Sequence, residues 1–244
     1  GTSLDLFRRM RAAGVKQSTV TYNSAISACA GEGAWRAAIG LLHELHAERL
    51  FPTVRTYGAV FSNLAPGGRW EAALAVLGDM EARGVRLDKD CAASLVSAAA
   101  IAGEFHRALE MYRRVEATGA ISPWSQAHRG VVDLHGHPIL TALVAVRSVL
   151  DDMASQRPGQ YAHDPRRDLV IITGRGKHSA NGESKLIPAL KAFLAEEFHP
   201  PMECEAYILT PGRRSIPARS LLAWLEACGG RPPAAAPPPP QGGL

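Results

Sequence analysis

Cysteine is scarce and badly spaced for structural chemistry. Cys29, Cys91, Cys204 and Cys228 are the four in 244 residues, and no two form a CxxC pair. That argues against a disulfide framework and against a thiolate zinc site; the thiols read as reduced and mostly packed, as in a reducing compartment. No apolar run reaches about 18 residues, so neither a spanning helix nor a membrane partner is expected. Charge of one sign is not in large excess either. The net charge of +4 is a mild basic balance, compatible with nucleic acid but no proof of it. The chain also has no initiator Met. It opens at Gly1 inside what reads as the second helix of a repeat, so a fragment is expected, and a targeting segment could stand upstream. Apolar residues make up 46% of the chain, enough for one or two ordinary packed domains.

What the first half does have is a repeat. Val20-Thr21-Tyr22-Asn23 aligns with Arg55-Thr56-Tyr57-Gly58 and then with Asp90-Cys91-Ala92-Ala93, each 35 residues after the last. Trp35 aligns with Trp70 and Phe105, and Ala38-Ile39 aligns with Ala73-Leu74 and Ala108-Leu109. A fixed period of this length implies stacked units, each too small to bury its own apolar face. Each unit reads as two short helices. Tyr22, Ile26 and Cys29 share one helical face, Gly31 to Gly33 break the run, and Trp35, Ala38, Ile39, Leu42 and Leu45 form a second stripe before Pro52. The same grammar recurs twice more, and residues 4 to 15 match the second helix of an earlier unit. The expected fold is a short α-solenoid of helical hairpins, one partial and three full, over residues 1–123.

The wording from Val20 to Thr53 resembles the pentatricopeptide repeat family, and the 35-residue spacing separates it from the 34-residue tetratricopeptide pattern. The resemblance covers about half the chain. It implies single-stranded RNA binding, one base per repeat, read by the fifth and last residues of each. With repeats at 19–53, 54–88 and 89–123, the pairs are Asn23 with Thr53, Gly58 with Asp88, and Ala93 with Pro123. Asn23 can offer an amide to a base edge and Asp88 can accept from one. Gly58, Ala93 and Pro123 have no polar reach, so the array should read sequence weakly. Shape-driven RNA contact, or service as a protein-binding or spacing module, stand as the alternatives. The resemblance also implies a chloroplast or mitochondrial location.

From residue 124 the pattern changes to alternating strand and helix, with Trp124 to His128 as a linker. Residues 130–135 read as a strand, 139–153 as a helix with one broad apolar face, 168–173 as a buried strand, 186–198 as a helix, 204–210 as a third strand and 218–227 as a last helix. That order argues a two-layer βαβαβ-type sheet with helices on its faces. The Pro211-Gly212-Arg213-Arg214 stretch leaves little room for a fourth strand. Residues 231–244, rich in Pro, Ala and Gly, should be disordered or polyproline-like.

Two features of this half carry chemistry. Asp133 and His135, two apart in a strand, point the same way at its carboxyl end. Thr173-Gly174-Arg175-Gly176-Lys177-His178 follows the carboxyl end of the next strand, the edge where open α/β sheets bind ligands. Gly174 and Gly176 let backbone N–H groups approach a phosphate, and Arg175 and Lys177 supply charge. The loop fits neither GxGxxG nor GxxxxGK[ST], so a nucleotide cofactor is not supported. The pair Val132-Asp133-Leu134-His135 and Thr173-Gly174-Arg175-Gly176, in that order, resembles the LDxH and TGxG signatures of the small MutS-related (Smr) domain, over residues 124–230. Val132 stands where that family has Leu. The resemblance implies a fold like the C-terminal half of a bacterial initiation factor and a nucleic-acid nicking activity.

The chemistry would be phosphodiester cleavage. His135 can take a proton from the attacking hydroxyl, with His178 as a third acid or base. Asp133 can orient His135 or hold a divalent ion such as Mg²⁺ through oxygen. The glycine loop with Arg175 and Lys177 can stabilise charge on the phosphate. The bland alternatives are a strand-end pair that caps the next helix and a solvated loop histidine. Arg166, Arg167, Arg213, Arg214 and Arg219 read as a basic rim, and His43, His46, His106 and His199 as ordinary surface or helix-end residues. The reading is an RNA-processing endonuclease acting on single-stranded or structured RNA. A non-catalytic adapter and a DNA-nicking protein are the alternatives.

Overall fold

A computed structural model describes residues 3–30, 33–128, 130–155, 163–174, 184–207 and 212–229. The chain divides into two compact units, Gly1–Ile121 and Ser122–Leu244.

The first unit holds seven helices among the described residues: α1 (Ser3–Ala12), α2 (Thr19–Ala30), α3 (Trp35–Ala47), α4 (Val54–Leu64), α5 (Trp70–Ala82), α6 (Lys89–Ile101) and α7 (Phe105–Ala117). The first helices of the hairpins start at Thr19, Val54 and Lys89, and the second at Trp35, Trp70 and Phe105, so the 35-residue sequence period is carried into the backbone without drift. The reason is local chemistry at equivalent positions. Ser18, Thr53 and Asp88 stand one residue before α2, α4 and α6. Asp88 Oδ1 accepts from the Cys91 N–H at 2.9 Å, and the Thr53 N–H donates to Thr56 Oγ1 at 3.0 Å. Such caps satisfy donors that a helix start leaves orphaned, and each contributes about 1 kcal/mol.

Packing follows the period too. α2 stacks on α4 and α4 on α6, while each partners the second helix of its own hairpin. Tyr22 and Tyr57 are fully enclosed at matching places, as are Leu42 and Leu45 of α3 and Met80 of α5. Enclosing each side chain of this size stabilises by roughly 1.5–3 kcal/mol. Ala38, Ala73 and Ala108, the matching alanines of α3, α5 and α7, are all at 0% exposure. Gly68 turns the second hairpin with φ 61°, and a Cβ there would stand 3.1 Å from the Ala102 backbone. His46, expected at the surface, is instead only 15% exposed in its side chain, because the stacked repeat brings Asp79 against it.

The second unit contains β1 (Val131–Asp133), α8 (Ile139–Ala154), β2 (Leu169–Ile172), α9 (Leu186–Glu196), β3 (Glu205–Ala206), β4 (Arg213–Ile216) and α10 (Ala218–Ala227). The sheet order is β1-β2-β4-β3, with β1 and β2 parallel and β4 antiparallel to both its neighbours. A fourth strand does form, in the stretch judged too short for one, and it lies centrally. Its pairing with β2 and β3 on both sides supplies the hydrogen bonds that its Arg-rich wording does not advertise. The strand expected from Cys204 is reduced to Glu205–Ala206 among the described residues. The start of the stretch expected as a linker is also structural. Trp124 bridges to Val132, and the Asp133 N–H donates to Pro123 O at 2.8 Å, closing the free edge of β1.

Paired residues share a face of the sheet. Val132, Leu169, Ile171 and Ile216 are buried on one side; Asp133, Ile172 and Arg213 lie in one row on the other, less buried. α8 is buried along nearly its whole length and carries an enclosed ion pair, Arg147 Nε to Asp151 Oδ1 at 2.7 Å. The Arg147 guanidinium stacks 5.2 Å from the Phe198 ring, which meets Phe193 and Trp224 edge to face, each at 5.5 Å. Asp168 Oδ1 accepts from the Ala218 N–H and so starts α10. Among the described residues no helix is long and apolar enough to cross a membrane.

Candidate nucleic-acid site

The repeat positions expected to read bases are already partly engaged. Asn23 is half-buried on α2, and its Oδ1 is enclosed without a hydrogen-bond partner, so the amide is preset but unsatisfied. Thr53 is exposed and Asp88 is exposed, yet both serve as helix caps. A side chain at Gly58 would meet Cys91 Sγ at 3.3 Å, which leaves little space beside it. Ala93 is 6% exposed. Pro123 commits its carbonyl to β1.

The strand-end site has a sharper geometry. β1 and β2 are parallel neighbours, so their carboxyl ends lie side by side, with Asp133 opposite Ile172. The Leu134 N–H continues the ladder to Ile172 O at 2.9 Å. Beyond it the chain turns at Gly136, φ 71°, and His135 is left projecting. Asp133 Oδ1 accepts from the His135 backbone N–H at 3.1 Å and lies 2.5 Å from Nδ1 of the same imidazole. The His135 side chain is 66% exposed and that of Asp133 23%. A carboxylate therefore fixes one ring nitrogen, so the other, Nε2, is the one that can meet a substrate.

Gly174 lies beside this pair. A Cβ built on it would stand 3.8 Å from His135 Cβ, and its φ of 77° suits glycine. The position is held by a residue that the sequence did not single out. Gly212 O accepts from the Thr173 N–H at 2.9 Å, from Thr173 Oγ1 at 3.1 Å and from the Gly174 N–H at 3.2 Å. The Pro-Gly punctuation ahead of β4 is the sequence signal available for it. Arg175, Gly176, Lys177 and His178 lie outside the described residues.

Of the expected basic rim, Arg166 and Arg167 are exposed. Arg219 is exposed and pairs with Glu203 and Glu205, both at 2.5 Å. Arg213 shares a sheet face with Asp133, one strand beyond Ile172. Arg214 points to the opposite face, and its Nε is enclosed without a partner. No three His, Cys, Asp or Glu side chains converge on a metal-sized site among the described residues.

A family model described as the pentacotripeptide-repeat region of PRORP matches residues 2–132. No curated protein matches the chain. Solved structures similar to it include the pentatricopeptide repeat protein PPR10 in complex with an 18-nt psaJ RNA element, at 19% identity and a TM-score of 0.46, covering 66% of this chain and 24% of that one. Another is PPR10 from maize, at 19% identity and a TM-score of 0.40, covering 66% of this chain and 27% of that one. The chain thus spans about a quarter of the length of these chains.

Proposed function

The chain belongs to the pentacotripeptide-repeat family, and from that premise we propose that its first unit docks on single-stranded RNA while its second, an Smr-type domain, cleaves a phosphodiester bond. The observation that carries the second part is the Asp133–His135 contact of 2.5 Å with Gly174 set against the same imidazole. An exposed imidazole oriented by a carboxylate is a general base ready to take a proton. A glycine turn beside it lets backbone N–H groups come near a phosphate.

In this reading, His135 removes the proton from an attacking hydroxyl. If that hydroxyl is a ribose 2′-OH, its oxygen bonds to phosphorus, the 5′-oxygen leaves with a proton and a cyclic phosphate end results. If it is water, a divalent ion on Asp133 would supply the activation, and a linear phosphate end results. The substrate is RNA, and the implied compartment is a chloroplast or mitochondrion.

The experiment is incubation of the purified chain with single-stranded, structured RNA and DNA at matched salt, because affinity for any of them falls steeply with ionic strength. Cleavage of RNA, lost in His135→Ala and in Asp133→Asn, supports the reading. Intact substrate throughout, or variants that cut like the parent, overturns the nuclease part. Product-end analysis with and without chelator separates the two nucleophiles. The second reading, a non-catalytic adapter, is favoured by Gly58 and Ala93, which offer no polar group where bases would be read. Its signature is RNA binding without turnover that survives removal of residues 4–123.

A further inference from the structure

Successive grooves between the second helices of the hairpins are filled differently. Between α1 and α3, Tyr22 packs edge-on against Phe7 at 5.1 Å. Between α3 and α5, Tyr57 is fully enclosed and its hydroxyl donates to Asp79 at 2.7 Å, with His46 and Arg83 gathered round the same carboxylate. One repeat further on, the counterparts are Ala92 for Tyr57, Arg114 for Asp79, Glu81 for His46 and Thr118 for Arg83. The phenol that plugs the earlier grooves is gone, and the long side chain opposite it is replaced by a short one. A cavity of about 520 Å³ lies between α5 and α7, lined by Glu81, Arg114 and Thr118 of that set, with Ala92 buried beneath it and not in its lining.

Its lining includes Leu77, Met80, Val85 and Val115 as an apolar floor, with Arg86 and Arg114 at the rim. The two rim cations are not equivalent. Arg114 is neutralised by Glu81 at 2.7 Å. Arg86 is exposed and makes no ion pair or hydrogen bond among the described residues. The volume falls within the roughly 300–1,000 Å³ typical of small-molecule sites, which combine an apolar lining with a few polar groups. An apolar body would cover the half-exposed Val85 and Leu87 above the buried Leu77, Met80 and Val115, and one negative group would meet the Arg86 guanidinium. A cation or a neutral polar molecule would gain neither.

We propose that this groove is a binding site for a small organic anion with an aromatic or branched apolar body, carried as a carboxylate or sulfonate. None of its lining residues is a base-reading position or a member of the Asp133–His135 pair, and it stands whether or not the chain cuts RNA.

The test uses the full chain and the fluorescent aromatic sulfonate 1-anilinonaphthalene-8-sulfonate as probe. Saturable one-site binding is expected, weakened roughly tenfold or more by Ala92→Tyr, which restores the missing plug, and by Arg86→Glu, which reverses the anchor. Circular dichroism and thermal midpoints check that the variants remain folded. Should Ala92→Tyr not fold, Val85→Trp, a bulky change at a half-exposed loop residue, blocks the same space and decides the matter. If folded Val85→Trp and Arg86→Glu bind the probe like the parent, or the parent shows no one-site binding, the proposal is overturned.

Discussion

The Tyr57 hydroxyl donates to Asp79 Oδ2 at 2.7 Å, tying the first helix of one hairpin to the second. Burial, the hydrogen bond and the charge of Asp79 together push the phenol well above its ordinary range, so it stays protonated and donating. Removing a bond to a charged acceptor costs about 1.5–3 kcal/mol. Asp79 keeps its second bond, from Arg83, and is a third exposed, so the lower end applies. Tyr57→Phe should lower unfolding stability by about 1.5 kcal/mol, measured by urea titration. A variant as stable as the parent would show that water replaces the bond at no cost.

The same groove should make the repeat unit sensitive to mild acid through His46. Burial lowers its pKa from the ordinary 6.5; attraction from Asp79 raises it, and Arg83 and His43 lower it, but burial wins. The geometry agrees, since Nε2 lies 3.6 Å from Asp79, too far for a hydrogen bond. A histidine with a depressed folded pKa stabilises fully above its unfolded value of 6.5, and that contribution is lost as pH falls through the lower folded value. The difference in thermal midpoint between the parent and His46→Gln should therefore shrink on acidification from pH above 6.5. A difference that is constant with pH would contradict it.

Which of these features the sequence displays depends on whether a local rule or a long-range pairing produces them. The hairpin boundaries are legible because cap, break and stripe recur at one spacing, and each acts within its own helix. β4 is not legible. Arg213-Arg214-Ser215-Ile216 shows no apolar alternation, and two neighbouring strands from distant parts of the chain make it a strand. His46 reads as a surface residue because its burial comes from Asp79, 33 positions later, through stacking. The expected strand runs to His135, but β1 ends at Asp133 and His135 stands in the turn that follows. The pair is brought together by the Asp133 carboxylate meeting the His135 N–H and ring, and the adjacency of Gly174 follows from the parallel order of β1 and β2. The clasp by Gly212 is not legible, since a backbone carbonyl leaves no residue-type signal.

Arg49 is the one non-glycine residue with positive φ among the described residues, at 55°. It follows α3 where Gly14, Gly84 and Gly119 follow α1, α5 and α7, with φ of 70°, 68° and 77°. The Leu50 N–H reaches Leu45 O at 3.1 Å, the same closure as Val85 to Met80. A left-handed non-glycine residue costs roughly 1–2 kcal/mol. The extra freedom of glycine in the unfolded chain gives back about 0.4–1 kcal/mol of that. Arg49→Gly should thus stabilise by about 0.5–1 kcal/mol in denaturant titration. Destabilisation would mean that contacts of the arginine outweigh its backbone.

The enclosed ion pair of α8 makes the opposite kind of site. Arg147 and Asp151 are 4% and 6% exposed, with a contact of 2.7 Å. Taking away one member leaves a buried charge, at about 3–5 kcal/mol, whereas replacing both with apolar residues of similar volume is often near neutral. Asp151→Ala should therefore unfold the second unit far more readily than the double change Arg147→Met with Asp151→Leu. Equal losses in the two would show that packing against Phe198, not charge, sets the cost.

Gly174 should matter to cleavage through His135. A valine there would be strained by the φ of 77°, and its Cβ would stand in contact with the His135 side chain, 3.8 Å from its Cβ. Gly212 O accepts from the Thr173 and Gly174 N–H groups, so moving Gly174 away from His135 would break these bonds. Loss of a positioned general base costs about 10²–10⁴-fold in rate. On the reading that this site cuts RNA, Gly174→Val should lose a large part of that range, while RNA binding by the repeat unit stays at the parent level. The discriminating control is His135→Ala with Gly174→Val. If the glycine acts only by placing the imidazole, the double variant is no slower than His135→Ala alone. A further loss would mean that the turn contacts the phosphate directly.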